Sequence, residues 1–354
     1  MNKGQFTLVD GLRGVAAIGV FALHSEKSLG TLWPASGYLA VDLFFLLSGM
    51  VIAYSYDQRI GDGALSPARF MTMRAIRFYP FYVMGAVLAV PVAFYSVYSG
   101  RAGHLHGPSD IFSAFALTLM FVPQRIGDAP PLFPLIQPYW SLFFELLVNA
   151  AFVLFWRWLT PRCLIAVILL SALALIWFSP GQGLHGGSSW DTFPMGMGRV
   201  SFSFFLGVLM VRHRPRTMVV SDGAASACLV ALVVIMAVDP GAWRQAYDLF
   251  CVMLLFPMMA LMGLRFRTGK VTGWLSGRLG DASYGVYAIH APVTSILFGL
   301  LALAGLPVDG WAPLSFVAIA LPLVGAVMLL DRHVDRPLRK WMNAIVAIRR
   351  VQRA

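Results

Sequence analysis

An aspartate, an arginine and a histidine share one apolar stretch near the start of the chain, 7-TLVDGLRGVAAIGVFALHSE-26. On a helix, Arg13 and His24 are eleven positions apart and fall within roughly 20° of each other; Asp10 widens the arc to about 60°. Gly14 and Ala17 lie on the same face, so the polar stripe has narrow shoulders. Along the axis, Arg13 and His24 stand roughly 16 Å apart. An imidazole titrates near working pH and serves as a general base or accepts a group covalently. A guanidinium grips carboxylates and phosphates. Ionisable groups are costly in lipid, which excludes a lipid-facing position for all three. The plainer reading pairs Asp10 with Arg13 at the interface and lets His24 cap the helix; it suits one such residue better than three on a single face.

Four further stretches carry polar groups inside or beside apolar runs. In 74-RAIRFYP-80, Arg74 and Arg77 are three apart on one helix face, with Pro80 just beyond. Two guanidiniums so placed suit phosphates. Ordinary charge anchoring is the simpler reading, but Arg13 at the same depth favours a shared anion site. In 38-YLAVDLFFLLSGMVIAYS-55, Asp42 is another buried acid, and Ser48–Gly49 forms a small, hydrogen-bonding break that permits close helix approach. Glu145 in 139-YWSLFFELLVNA-150 needs a partner, and Arg199, also inside an apolar run, is the expected one. The stretch 279-LGDASYGVYAIHAPV-293 places Ser283, Tyr287 and His290 on one face, with Tyr284 beside them and Pro292 set to bend the helix. His104 and His106, near Asp110, lack further ligands at metal-binding spacing and read as solvated.

The elements that position these groups follow from composition. The chain has 354 residues, 58% of them hydrophobic and 12% charged, with a mean hydropathy of +0.73, which excludes a soluble globular protein. Apolar runs recur along its length, near 7–25, 37–56, 76–96, 139–158, 163–179, 193–211, 221–238, 246–264, 283–303 and 311–331. Each is long enough, at roughly 17–22 residues, to cross a hydrocarbon core. The fold class expected is all-α: a polytopic transmembrane bundle of about ten spans. A shorter apolar piece, 111–122, is expected as a re-entrant or partial helix inside a proline-rich, otherwise non-helical outer segment, 97–138. The longest other link is 57–75.

The net charge of +11 is spread in small groups between apolar runs, so no nucleic-acid-binding face forms. If 111–122 does not cross, 21 lysines and arginines fall on one side, against Lys27, Arg101, Arg125 and Arg244 on the other, with Arg13 and Arg199 inside spans. That bias places both termini in the cytoplasm. Cys163, Cys228 and Cys251 have neither disulfide nor zinc spacing. The first helix is too polar for a cleaved signal and is expected to be retained. No repeat stands out, and residues 1–340 read as one membrane domain followed by a basic cytoplasmic tail, 341–354.

The ordered set DGLRG…H, VDLFFLLSG, RxxRxxP, WSLxxE and LGDASYGVYAIH, with Arg336–Pro337 before the basic tail, resembles the acyltransferase-3 family of bacterial membrane-bound O-acyltransferases. The likeness spans nearly the whole chain. It implies that Arg13 and His24 are needed for activity, and that Arg74 and Arg77 help hold an acyl-CoA donor such as acetyl-CoA. The glutamate, here Glu145, and the late helix with Tyr284 and His290 are further family features. Some members carry an attached periplasmic esterase-like domain; an acyl relay of that kind would here need a separate periplasmic partner.

Residue reading and likeness together give a set of expectations. His24, Arg13, Asp10 and Glu145 form the catalytic group. Arg13, Arg74, Arg77, Ser48, Tyr284 and His290 hold the donor, and no metal takes part. His24 acts as base or transient acyl acceptor, and Asp10 or Asp42 sets the charge state of Arg13 or orients neighbouring groups. The acceptor is a hydroxyl of a surface glycan or lipid-linked sugar, met from the outer side of the inner membrane, with membrane lipids around the bundle. The rival is a transporter or flippase using the same charges as a pathway. It fits less well, because no internal symmetry is visible and a carrier has no need of paired phosphate-type arginines at one mouth.

Overall fold

Local sequence sets where the helices begin. Ser-Pro and Thr-Pro pairs open two of them: Ser66 accepts from the Arg69 amide ahead of Pro67, and Thr160 accepts from that of Cys163 ahead of Pro161. Each cap satisfies an orphan donor, and proline at the first helical position has no amide to lose. The computed structural model describes residues 6–100, 104–125, 131–213, 219–306 and 312–351. Its helices are α1 (Thr7–Leu23), α2 (Glu26–Leu29), α3 (Ala40–Gly61), α4 (Pro67–Tyr98), α5 (Pro108–Leu119), α6 (Tyr139–Leu154), α7 (Pro161–Phe178) and α8 (Phe193–Arg212). Then come α9 (Asp222–Ala237), α10 (Arg244–Phe250), α11 (Phe256–Arg265), α12 (Lys270–Leu303), α13 (Leu314–Leu330) and α14 (Arg336–Val351). Single wide π-turns, Cys251–Leu255 and Asp331–Asp335, join α10 to α11 and α13 to α14. One small parallel pairing, β1 (Val219–Val220) with β2 (Phe266–Arg267), ties two links together.

The chain is an all-α membrane protein. Among the described residues, seven helical stretches are long and apolar enough to cross a bilayer: Gly30–Gly61, Pro67–Tyr98, Pro161–Phe178, Phe193–Arg212, Gly241–Arg265, Thr272–Leu303 and Leu314–Val346. Tyr139–Leu154 and Asp222–Ala237 are shorter apolar helices. The 17-residue α1 is wrapped by protein, with Leu8, Leu12, Ala16 and Phe21 fully buried. Apolar side chains instead face outward from α7 (Leu170, Trp177), α9 (Val230, Val234) and α13 (Leu321, Leu329), as a lipid-facing surface requires.

Small residues fix the packing that matters for the site. A Cβ on Gly14 would strike Leu279, and one on Gly280 would strike Asp10, so α1 and α12 touch backbone to backbone. Gly49 and Gly207 do the same for α3 and α8. Tyr139 clamps α6 to two neighbours, its hydroxyl lying 2.8 Å from Tyr82 O on α4 and 3.1 Å from Ala288 O on α12.

Several boundaries differ from the hydropathy reading. The link expected at 57–75 shrinks to 62–66, because α3 runs on to Gly61 and α4 starts at Pro67. Likewise α12 starts at Lys270 rather than near 283. In both cases a polar helix end extends the apolar span. The partial helix expected at 111–122 is α5, which starts three residues earlier at Pro108 and packs against α4. Residues 336–351 form one helix across the expected boundary at 340.

Candidate functional site

Five helices enclose a chamber with about 760 Å³ of empty space: α1 supplies Arg13, α3 Ser48, α4 Arg74 and Arg77, α6 Ser141 and Glu145, and α12 Ser283, Tyr284 and Tyr287. The early start of α4 puts both of its arginines on helix. Arg74 Nη2 donates to Glu145 Oε1 at 2.9 Å, and the Ser48 hydroxyl donates to the same oxygen at 2.6 Å. The Arg74 guanidinium lies 4.9 Å from the Phe78 ring centre and that of Arg77 lies 5.3 Å from Tyr284. Arg74 Nε is buried without a partner. Neither Arg13 nor Arg77 makes an ion pair among the described residues. Three guanidiniums face one carboxylate in this lining, an excess of positive charge at the chamber wall. Such a chamber attracts a polyanion.

A second chamber, about 530 Å³, opens beyond it and is lined by His24, Tyr38, Gln137, Trp140, His185 and Arg199, among others. His24 is the C-terminal cap residue of α1; its Nδ1 lies 2.8 Å from Val20 O and 3.4 Å from Nε2 of His290. The His185 ring lies against that of Tyr38, tilted by 33° with centres 3.6 Å apart. The Tyr38 hydroxyl donates to buried Asp248 at 2.6 Å, and Asp248 also accepts the Leu184 amide at 2.7 Å. This bonding holds the 183–188 loop over the chamber. Desolvation, then the Arg244 and Arg199 charges, push His185 down to about 4, so it is neutral at ordinary pH. Val41 and Tyr287 line both chambers, which makes them the partition between the arginines and His24. The Tyr287 hydroxyl donates to Pro138 O at 2.9 Å and sits 2.5 Å from Ser141 Oγ.

The two chambers gather most of the residues singled out from sequence, with changed pairings. Glu145 does not pair with Arg199; it holds Arg74. Arg199 belongs to Asp42, at 2.6 Å. Both pairings are set by helix rotation, which hydropathy does not report. Asp42, so engaged, does not orient Arg13. His290, expected at the donor, lines neither chamber and packs against His24 instead. Ser48 reaches the arginine chamber with its hydroxyl committed to Glu145. Asp10 lines neither chamber either; it borders a separate wide recess, with Trp274, Arg278 and Asp281, where α1 begins. Asp110 caps its own turn, accepting from the His106 amide at 2.9 Å. No metal-type cluster of His, Cys, Asp and Glu exists among the described residues, and the three cysteines are free.

Sequence reading missed Tyr38, His185 and Asp248. Tyr38 and Asp248 sit inside the apolar runs 37–56 and 246–264, but nothing in their spacing ties residues 210 positions apart. The one usable signal was glycine density around His185 in 181-GQGLHGG-187, which marks a shaped loop.

Comparison with known proteins adds to this geometry. Residues 7–330 match the family model of the acyltransferase-3 type, described as an acyltransferase domain. The chain is 36% identical over 181 residues to "Protein 2 in picA locus" of Rhizobium radiobacter, covering 49% of this chain and 93% of that protein. It is 26% identical over 318 residues to the exopolysaccharide production protein ExoZ of Rhizobium meliloti (strain 1021), covering 85% and 90%. Against the peptidoglycan O-acetyltransferase OatA of Listeria monocytogenes the figures are 28% over 181 residues, covering 48% of this chain and 28% of that one. No solved structure matches the chain.

Proposed function

The chain belongs to the acyltransferase-3 family, and from that premise we propose that this membrane acyltransferase moves an acyl group, acetyl in the simplest case, from cytoplasmic acyl-CoA to a hydroxyl of a glycan. One observation carries the donor assignment: three guanidiniums and one carboxylate line a chamber that shares Val41 and Tyr287 with the chamber lined by His24. Coenzyme A is a polyphosphate with a thin arm. Arg13 and Arg77 bind its phosphates, while Glu145 and Ser48 hold Arg74 in the same wall. The arm passes Tyr287 toward His24. As the acceptor oxygen attacks the thioester carbonyl, its proton goes to His24; the C–S bond breaks, and the proton passes on to the departing thiolate.

The histidine chamber supports the acceptor side of the reading. Its only lining arginine, Arg199, is already bonded to Asp42, and His185 is neutral. Tyr38, Trp140 and Gln137 supply aromatic and amide surface, suited to an uncharged polyhydroxyl compound. ExoZ and OatA are named for exopolysaccharide and peptidoglycan, both glycans, which supports the same class of acceptor.

For topology, the seven long apolar stretches together with α1, α6 and α9 make ten crossings, with α5 lying outside that number. The positive-inside bias then puts both termini and the arginine chamber on the cytoplasmic side of the inner membrane. Residues 1–340 serve as the acyltransferase domain and 341–354 as a basic tail.

The test uses purified protein in lipid with acetyl-CoA and a sugar acceptor. Thiol release and an ester on the sugar, both lost in His24→Ala, are the expected result. Movement of the sugar across vesicles without thioester cleavage would favour a transporter instead.

A further inference from the structure

Resting on the transfer reading, a second histidine acquires a role. His290 is fully buried on α12, and its ring centre lies 5.0 Å from that of His24. The acceptors around it fix where its hydrogen sits. Tyr287 O lies 2.8 Å from His290 Nδ1, and Val286 O lies 3.2 Å from it. A carbonyl oxygen only accepts, so Nδ1 carries the hydrogen. No carboxylate among the described residues pairs with the ring to balance a second proton. The lone pair is therefore on Nε2.

That Nε2 points at His24 Nδ1, 3.4 Å away, and Val20 O approaches the same nitrogen at 2.8 Å. Both are acceptors, so His24 must hold its hydrogen on Nδ1 and share it between them. The lone pair of His24 is left on Nε2, which bonds to no described residue. We propose that His290 is the positioning residue for His24, holding it in the tautomer whose Nε2 takes the proton of the acceptor hydroxyl. When Nε2 gains that proton, the Nδ1–H of the imidazolium becomes a stronger donor to the same two acceptors, and nothing passes to His290. The arrangement follows the logic of a base oriented by a third group, with a neutral imidazole as the orienting member. Close contact of α1 with α12 at Gly14 and Gly280 sets the spacing.

The test compares His290→Phe and His290→Gln in the purified acetyl-transfer assay, with folding followed by size exclusion and melting. Removing the acceptor in His290→Phe is expected to lower kcat about 100-fold while leaving both KM values within about threefold. The amide oxygen of His290→Gln, able to accept from Nδ1, is expected to restore kcat to within about tenfold of the unmodified enzyme. In a His24→Ala background, His290→Phe should cost nothing more. Equal losses from Phe and Gln, or a rise in donor KM with kcat unchanged, would overturn the proposal; if His290→Phe does not fold, the size of the Gln loss decides alone. Full activity in His24→Ala would remove His24 from the transfer step and this inference with it, an inactive His24→Ala beside a fully active His290→Phe would sink only this inference, and absence of any thioester cleavage in the unmodified protein would overturn the transfer reading itself.

Discussion

Two arginine sites in the same bundle differ in one respect, and the difference separates structure from function. Arg199 spends its donors inside the protein: Nε and Nη2 on Asp42, Nη1 on Gly186 O at 2.8 Å, and Nη2 again on Tyr38 O at 3.1 Å. Its side chain is 2% exposed. Arg13 and Arg77 line a chamber and make no ion pair among the described residues, while Arg74 is bonded to the single lining carboxylate, Glu145. A saturated guanidinium fixes helices and a loop; an unsaturated one beside empty space is suited to an incoming anion. Fold stability sets the first, and on the proposed reading donor binding sets the second.

The sharpest way to break that contrast is Arg199→Leu. It leaves Asp42 buried and unpaired, so a loss of about 3–5 kcal/mol is expected, read as a lower melting temperature or absence of folded protein. A well-folded variant would remove Arg199 from its structural role. Replacing Arg74 and Arg77 by alanine should do the reverse. The pair removes the Arg77 contact, worth about 1.5–3 kcal/mol as a charge-assisted bond, so donor KM should rise at least about tenfold with acceptor KM little changed. A rise confined to acceptor KM would argue against a donor clamp. Gly14→Ala probes the helix contact that serves both chambers; collision with Leu279 should destabilise by about 1–3 kcal/mol, measured by thermal unfolding. The smallest effect is expected from His185→Gln. With its pKa depressed to about 4, His185 holds no proton at ordinary pH. The pH–rate profile from about pH 5 to 9 should therefore keep its shape, and a displaced limb would show that His185 titrates there.

Much of the site could be read before any coordinates. The stripe of Arg13 and His24 depends only on helical periodicity, and Arg74–Arg77 on spacing within one turn; both survive in the structure because they are local. Partner choice is not local. Glu145 had Arg74 and Arg199 within plausible reach by depth alone, and only the rotation of α6 and α8 decides between them. The His24–His290 contact joins residues 266 positions apart through a small-residue helix contact, which no hydropathy window registers. The same limit explains the misjudged ends of α4 and α12. Their first turns are polar, so an apolar scan starts too late, whereas α4 begins at the Ser66–Pro67 cap.

The most direct measurement is equilibrium binding of coenzyme A lacking its thiol to the purified protein in lipid nanodiscs, comparing the unmodified chain with Arg77→Met and His24→Ala. The account predicts unchanged affinity in His24→Ala and at least about tenfold weaker binding in Arg77→Met, the effect of losing one charge-assisted contact. Equal affinity in Arg77→Met and the unmodified protein would contradict it.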